Sequence, residues 1–273
     1  MSVDLSRYSF NAGEKTGPLA DLGLLPKMDQ VRLIEAGINV QDHNVSGAFM
    51  QINREGVHCN TRHEGVELLS IQAALKSACF EHIIVSTDDE EIAQVAREYG
   101  ASTPFMRPEN LADDFATTGD VMRHAISEMQ KQGWQGEQVC CLYATAPFVR
   151  AEDLINGQQT LSQQQADFAF SITNYAFPIQ RALLLDENQQ VRMLQPEHFF
   201  TRSQDLPETW HDAGQFYWGK TEAWLAKKTI FNSHSIGIKL PRFRVQDIDT
   251  PEDWQQAELL AQAIYQKPAN LIF

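Results

Sequence analysis

Apolar and polar positions alternate in two different rhythms from about residue 66 onward. Short continuous apolar runs are typical of strands buried on both faces, whereas apolar residues three or four positions apart are typical of amphipathic helices. The predicted strands cover 82–87, 139–143 and 167–172, and the predicted helices cover 68–77, 92–99, 121–129 and 151–161. Strands that alternate with helices of this length indicate βαβ units, so the pattern predicts an α/β fold with a largely parallel sheet.

Polar segments that begin at Asp88, Thr145 and Asp247 each follow a predicted strand. In parallel α/β sheets, ligands bind beyond the carboxyl ends of the strands. We therefore expect these three segments to lie on one rim of the sheet and to form the functional site.

Residues 1–65 lack this rhythm. Glycine and proline interrupt the first part, and 39–64 shows no sustained period of either kind. The sequence therefore predicts a divergent or non-native N-terminal segment over 1–65, followed by one domain over 66–273.

The last strand and helix are predicted around residue 249. Phe243, Val245 and Ile248 suggest a strand that ends at Asp249. Thr250 is suited to cap the following helix, because proline occupies its first position and Asp253 lies three residues after the cap.

Asp247 and Asp249 are separated by one residue, so on an extended backbone both side chains share a face. Paired carboxylates repel each other unless a cation lies between them, and Mg²⁺ prefers one or two carboxylates together with substrate phosphates. A magnesium site is one interpretation. The alternative is that one aspartate is solvated and the other caps a turn.

Composition narrows the classes of function. The formal net charge of −14 argues against a surface for nucleic acid or an anionic membrane, because both require basic patches. Cys140 and Cys141 lie in an apolar run and are expected to be buried thiols rather than a disulfide. No signal-peptide pattern and no apolar run of bilayer length occur, so we expect a reducing, cytoplasmic setting.

Seven stretches in the expected order resemble the CMP-sugar synthetases, which are cytidylyltransferases that activate sialic acid-like nonulosonic acids. The pseudaminic acid branch is the most similar. The stretches that carry the resemblance are 70–75, 84–93, 105–108, 144–148, 177–181, 211–218 and 245–254. Together they span about three-quarters of the chain, which is more specific than any single motif.

The resemblance implies a three-layer nucleotidyltransferase fold, Rossmann-like and GT-A-like, with a small subregion for dimerisation or for a lid. It implies an enzyme that joins CTP to a nonulosonic acid of the pseudaminic acid type and releases pyrophosphate. Mg²⁺ is the implied cofactor, because it offsets charge on the phosphates. A homodimer is the implied assembly, and the aromatic-rich segment 199–218 is suited to an arm between subunits.

The resemblance also assigns roles to individual residues. Asp247 and Asp249 match the family's metal-binding pair, and Arg107 matches an arginine near the nucleotide. Two further groups match substrate-binding segments: the nucleotide segment with Thr145 and Pro147, and the acceptor-sugar wall with Gln215 and His211.

Each assignment has a structural alternative. Arg107 is also suited to pair with Asp113 or Asp114, and Thr145 with Pro147 to end a strand. His211 is a candidate general base, although a histidine in such a place is more often a structural hydrogen-bonding group. The acidic run after the first predicted strand is expected to start a helix, with Asp88 as its cap.

The family's first strand and the glycine- and lysine-rich loop that holds the triphosphate have no recognisable counterpart. The nearest fragment, 61–65, contains one glycine and a glutamate. One hypothesis is a shifted reading frame, because codons for 58–62 shifted by one nucleotide can encode Ile-Ala-Ile-Pro-Ala, which resembles the family's first strand. The alternatives are therefore an inactive relative that binds only a sugar acid or a partner subunit, and a glycosyltransferase with an Asp-x-Asp metal site.

Overall fold

A computed structural model describes residues 46–51, 66–112, 116–248 and 250–265. Helices separate successive strands up to residue 174, as the hydrophobic pattern predicts, whereas four strands follow one another between 168 and 220 without an α-helix between them. The strands and helices are β1 Ser46–Gln51, α1 Val66–Ser77, β2 His82–Ser86, α2 Glu90–Glu98, α3 Thr118–Lys131, β3 Gln138–Tyr143, α4 Ala151–Gln163, β4 Phe168–Asn174, β5 Leu183–Leu185, β6 Val191–Met193, β7 Trp210–Lys220, α5 Thr221–Leu225, β8 Ser235–Lys239 and α6 Pro251–Tyr265. In the described part of the chain, no helix is long and apolar enough to cross a membrane.

Among the described residues, six strands form a mixed central sheet in the order β2-β1-β3-β7-β4-β8. The neighbouring pairs β1/β2, β1/β3 and β4/β8 are parallel, and β7 is antiparallel to both β3 and β4. Five strands therefore run in one direction and β7 runs against them. The predicted α/β class with a mostly parallel sheet is confirmed.

Helices cover both faces of the sheet, which gives three layers. The neighbouring cysteines of β3 show the division, because successive side chains of a strand point to opposite faces. Cys140 packs with the apolar residues of α1 and α4, and Cys141 packs with those of α3 and α5. Both are fully buried free thiols, as predicted. Burial raises the pKa of the Cys141 thiol to about 12.

The hydrophobic pattern did not predict β5, β6, β7 or β8, and β7 takes up part of the segment 199–218 that was expected to form an arm between subunits. Strand β1 is also outside the predicted elements. It lies between β2 and β3, with Phe49 opposite Ile84 on one side and Cys141 on the other. The sequence Ser-Gly-Ala-Phe-Met-Gln has no alternation and no β-branched residue. Its position is set by the backbone edges of both neighbours, so the sheet has a central strand even though the family's first strand is not recognisable in the sequence.

The strand predicted to end at Asp249 is not formed. Pro241 is followed by a short 3₁₀ turn, Arg242–Arg244, in which the Arg244 N–H donates to the Pro241 carbonyl over 2.9 Å. The last strand of the sheet is instead β8, which pairs with β4. The turn delivers the following residues to the edge of the sheet.

Candidate active site

The predicted site residues in the described part of the chain lie together at the carboxyl-terminal ends of the parallel strands. This end of the sheet is the carboxyl edge. Strands β2, β1, β3 and β4 all end there, and the antiparallel β7 begins there. Thr145 follows the end of β3, and His211 and Gln215 lie in the first half of β7. This is the edge where ligands bind in open α/β sheets.

A direct contact joins two of these residues across the chain. The Thr145 hydroxyl donates to Oδ1 of Asp247 over 2.7 Å, and the Ile248 N–H donates to the same oxygen over 3.1 Å. The Asp247 carboxylate is exposed at the edge. Its predicted partner Asp249 lies outside the described residues, so the paired arrangement stays a prediction.

A largely buried ion pair fixes the segment that carries Asp247. The Arg244 guanidinium donates to both oxygens of Asp153 at the start of α4, with a distance of 3.0 Å from Nη2 to Oδ1. Both side chains are largely buried, with exposed fractions of 9% and 12%. The segment is therefore attached to a helix of the core and not only to its chain neighbours.

The helix after Asp247 starts as the sequence predicts. The Asp253 carboxylate accepts from the Thr250 N–H over 2.9 Å, and the Asp253 N–H donates back to the Thr250 hydroxyl over 3.2 Å. This reciprocal capping satisfies N–H groups at the beginning of α6. Gln246 adds a bond from its amide to the Asp247 carbonyl over 2.9 Å.

The Gln215 side chain is fully buried rather than exposed at the edge. Its amide NH₂ donates to the Arg244 carbonyl, and its backbone N–H donates to the Ser171 hydroxyl over 3.2 Å. In this position Gln215 supports the segment before Asp247. Contact between Gln215 and a sugar stays a prediction.

Arg107 lies at the end of β2, where its backbone N–H donates to the Thr87 carbonyl over 2.8 Å. The guanidinium is buried and pairs with Asp88 over 3.2 Å. Burial lowers the pKa of Arg107, while the Asp88 carboxylate opposes that change. The alternative partners Asp113 and Asp114 lie outside the described residues.

The cap of α2 is Asp89 and not Asp88, which corrects the predicted cap by one residue. The Asp89 carboxylate accepts from the N–H groups of Glu91 and Ile92 over 2.8 and 3.3 Å. Asp88 is drawn instead to the Arg107 guanidinium, because a buried cation needs a charged partner.

His211 and Pro147 occupy different parts of the edge. The Nδ1 atom of His211 lies 2.7 Å from the Asp212 carbonyl oxygen, and its ring packs against Tyr175 with ring centres 4.7 Å apart. Pro147 is buried in the turn after β3. The Ser70 hydroxyl donates to the Tyr143 carbonyl over 3.0 Å and so anchors the start of that turn.

The chemistry of Asp247 suits a hard divalent cation, since carboxylate oxygens are the ligands that Mg²⁺ prefers. Within the ranges that the structure describes, no three histidine, cysteine, aspartate or glutamate side chains cluster closely enough to hold a metal ion. One described carboxylate fits a site in which substrate phosphates supply most of the other ligands.

Comparison with known proteins identifies the family. Residues 68–267 match the family model described as Cytidylyltransferase. The chain belongs to the cytidylyltransferase family. The match covers the segments around Arg107, Thr145, Gln215 and Asp247, so the residues at the edge of the sheet all lie within the family's domain.

Relatives of this cytidylyltransferase narrow the comparison. The chain is 46% identical over 191 residues to the pseudaminic acid cytidylyltransferase of Campylobacter jejuni, which covers 70% of this chain and 82% of that protein. It is 36% identical over 179 residues to a Helicobacter pylori protein named pseudaminic acid cytidylyltransferase and UDP-2,4-diacetamido-2,4,6-trideoxy-beta-L-altropyranose hydrolase, with 65% of this chain and 34% of that protein covered.

A solved structure has the same fold. It is that of a CMP:2-keto-3-deoxy-manno-octonic acid synthetase complexed with CTP, with a TM-score of 0.52 and 14% sequence identity over 81% of this chain and all of the other. At this identity the likeness concerns the fold alone. It places the cytidylyltransferase in the three-layer nucleotidyltransferase class that the sequence predicts.

Sequence reasoning missed the buried contacts that attach the site to the core. Arg244 and Asp153 are 91 positions apart, and Gln215 is 29 positions from Arg244. The only local signal was an arginine three residues before Asp247. Such a residue has no distinguishing periodicity, because its partner is brought close only by the completed sheet.

Proposed function

We propose that this cytidylyltransferase transfers CMP from CTP to a nonulosonic acid of the pseudaminic acid type and releases pyrophosphate. The observation that carries the proposal is the 46% identity to the Campylobacter jejuni pseudaminic acid cytidylyltransferase over most of both chains. The contact between Thr145 and Asp247 at the carboxyl edge of the sheet supports it, because it joins the two segments to which the family resemblance assigns nucleotide and metal binding.

The proposed roles follow the positions of the side chains. Asp247, together with Asp249, would hold Mg²⁺. When bound, the cation would offset negative charge on the triphosphate and on the leaving pyrophosphate. Thr145 orients the Asp247 carboxylate through its hydroxyl, and the buried Pro147 fixes the turn that is proposed to face the cytosine.

The remaining residues are proposed to act near the nucleotide and at the acceptor sugar. Arg107 is proposed to lie near the nucleotide, where its buried guanidinium forms an ion pair with Asp88 at the end of β2. His211 accepts the proton of the attacking sugar hydroxyl, and Gln215 keeps the segment around Asp247 in place. The metal ion and these roles are proposals to be tested residue by residue.

The comparisons do not favour the inactive alternative, because the relatives are named as cytidylyltransferases. The family match likewise favours a nucleotidyltransferase over a glycosyltransferase. The region in which a phosphate-binding loop would lie, 52–65, is outside the described residues. The predicted loss of that loop therefore stays a prediction.

We also propose a homodimer and a cytoplasmic setting, where CTP is made. The proposal of a dimer is supported by exposed apolar side chains in the segment between β4 and β7. Among them are Phe177, Leu185 and Phe200, with exposed fractions of 83%, 63% and 93%. A cluster of exposed apolar side chains is typical of a protein–protein interface.

The test is pyrophosphate release from CTP and pseudaminic acid in the presence of Mg²⁺. We expect the wild type to be active and Asp247→Asn to lower kcat by about 100-fold or more, because a preorganised charge that stabilises the transition state is lost. Asp167→Asn is the matched control. It changes a carboxylate at the opposite edge of the sheet, where Asp167 pairs with Lys228 over 2.8 Å.

Two results would contradict the proposal. One is a wild type that releases no pyrophosphate with pseudaminic acid or with N-acetylneuraminic acid. The other is release that Asp247→Asn and Asp167→Asn reduce equally. Activity restored by grafting a relative's N-terminal segment ahead of residue 70 would show a sound domain that lacks its phosphate loop.

A further inference from the structure

Strand β7 contains a bulge beside the candidate site. It pairs with β4 on both sides of an irregularity, with Tyr217 opposite Phe170 and Asp212 opposite Ile172. The ladder of backbone hydrogen bonds is therefore interrupted over 213–216. A bulge leaves N–H groups that need other acceptors, and bulges commonly re-aim residues next to active sites.

Two side chains supply those acceptors. The buried Ser171 hydroxyl accepts from the N–H groups of Gln215 and Phe216, each over 3.2 Å. Oδ1 of Asp212 accepts from the Gly214 N–H over 3.0 Å. A buried N–H without an acceptor costs about 1–3 kcal/mol, so these two side chains specify the shape of the bulge.

The Asp212 carboxylate is itself held in orientation. The Tyr217 hydroxyl donates to Oδ2, so one carboxylate oxygen faces the tyrosine and the other faces the bulge. Burial, followed by the nearby Tyr143 and Asp212, raises the pKa of Tyr217 well above its ordinary value. Tyr217 is therefore protonated at any physiological pH and remains a donor. The ring of Tyr143 packs against it, with centres 5.3 Å apart.

Gly214, at the tip of the bulge, lies beside the candidate metal ligand Asp247. Gly214 has a φ of +60°, which favours glycine, and a Cβ atom built there would lie 3.3 Å from Oδ2 of Asp247. On its other oxygen, Asp247 accepts from Thr145. Oδ1 of the carboxylate is thus bonded to the Thr145 hydroxyl, and Oδ2 lies beside the bulge.

We propose that Asp212 and Tyr217 are positioning residues for Asp247: they fix the bulge so that Gly214 holds the Asp247 carboxylate in the orientation that binds the metal–nucleotide complex. The proposal rests on the proposed function. It assigns neither residue a contact with substrate. Residues that orient a metal ligand in this way typically change metal affinity 10- to 100-fold when they are replaced.

The experiment measures Mn²⁺ binding to the full chain with CTP by electron paramagnetic resonance, without sugar, and then kcat and KM for CTP. We expect Tyr217→Phe and Asp212→Asn to weaken Mn²⁺ binding about 10-fold or more. Gly214→Ala should act in the same direction, because its added methyl group would press on Asp247. Tyr217→Phe removes one oxygen atom and keeps the ring, so it tests the proposal even if Asp212→Asn fails to fold.

Thr221→Val is the matched control. It removes a buried hydroxyl that donates to the Gly136 carbonyl over 2.6 Å, just beyond the far end of the same strand. It should cost similar stability, about 1 kcal/mol, and leave Mn²⁺ binding unchanged. Equal Mn²⁺ affinity in Tyr217→Phe and in an active wild type would overturn the positioning role alone. A wild type that binds no Mn²⁺ with CTP would overturn the proposed function and this role together.

Discussion

Arg244 and Asp153 show how a single ion pair ties the site to the core. Only 9% and 12% of their side chains are exposed, so water screens the pair weakly. We expect Arg244→Met to lower the free energy of unfolding by about 3–5 kcal/mol, because the Asp153 carboxylate would remain buried without its partner. Urea unfolding measures this change.

The control at this scale is the exposed pair of Arg202 and Asp205, with side chains 70% and 47% exposed. Arg202→Met should cost no more than about 1 kcal/mol. The double variant Arg244→Met with Asp153→Asn should cost less than the sum of the single variants, since no charge is left alone. Additive losses would mean that the two groups do not depend on each other.

At the scale of elements, the position of β1 inside the sheet leads to a prediction that its sequence does not suggest. It is hydrogen-bonded to β2 and β3 on both edges, so its loss would leave two unpaired strand edges inside the sheet. We expect a chain that lacks residues 1–45 to be far more soluble and stable than one that lacks 1–65. Circular dichroism and the yield of soluble protein measure the difference. Equal behaviour of the two truncations would show that β1 contributes nothing to the fold.

The elements also show what the sequence can and cannot reveal. The strands β2, β3 and β4 were predictable because both their faces are buried, which produces continuous apolar runs. Strand β1 was missed because neighbouring strands, rather than its own pattern, determine its pairing. The predicted strand before Asp249 was wrong because Pro241 starts a turn there.

The candidate site was likewise predictable only in part. Thr145 and Asp247 were placed on one rim by the rule for parallel sheets, and the structure brings them into contact. The support of that contact by Asp212 and Tyr217 depends on an irregular register in β7. A register shift of this kind is a property of two strands together, so no periodicity in either one reveals it.

At the scale of the whole molecule, charge and exposed apolar surface oppose each other. The formal net charge of −14 makes two copies repel, so association requires a substantial apolar contact. The hairpin of β5 and β6 offers one. Leu185 and Val191 are cross-strand partners, Leu183 lies on the same face, and their exposed fractions are 59–65%. Cross-strand neighbours of this kind form one continuous patch.

We therefore expect the wild type to sediment at twice the 30.9-kDa chain mass, and Leu183→Glu with Leu185→Glu to sediment as a monomer. The added carboxylates would be buried in the interface without partners, which is unfavourable by several kcal/mol. Leu259→Glu is the matched control, because Leu259 is 66% exposed on α6. It should leave the mass unchanged. A monomeric wild type at tens of micromolar, or a dimer in all three proteins, would show that this hairpin is not the interface.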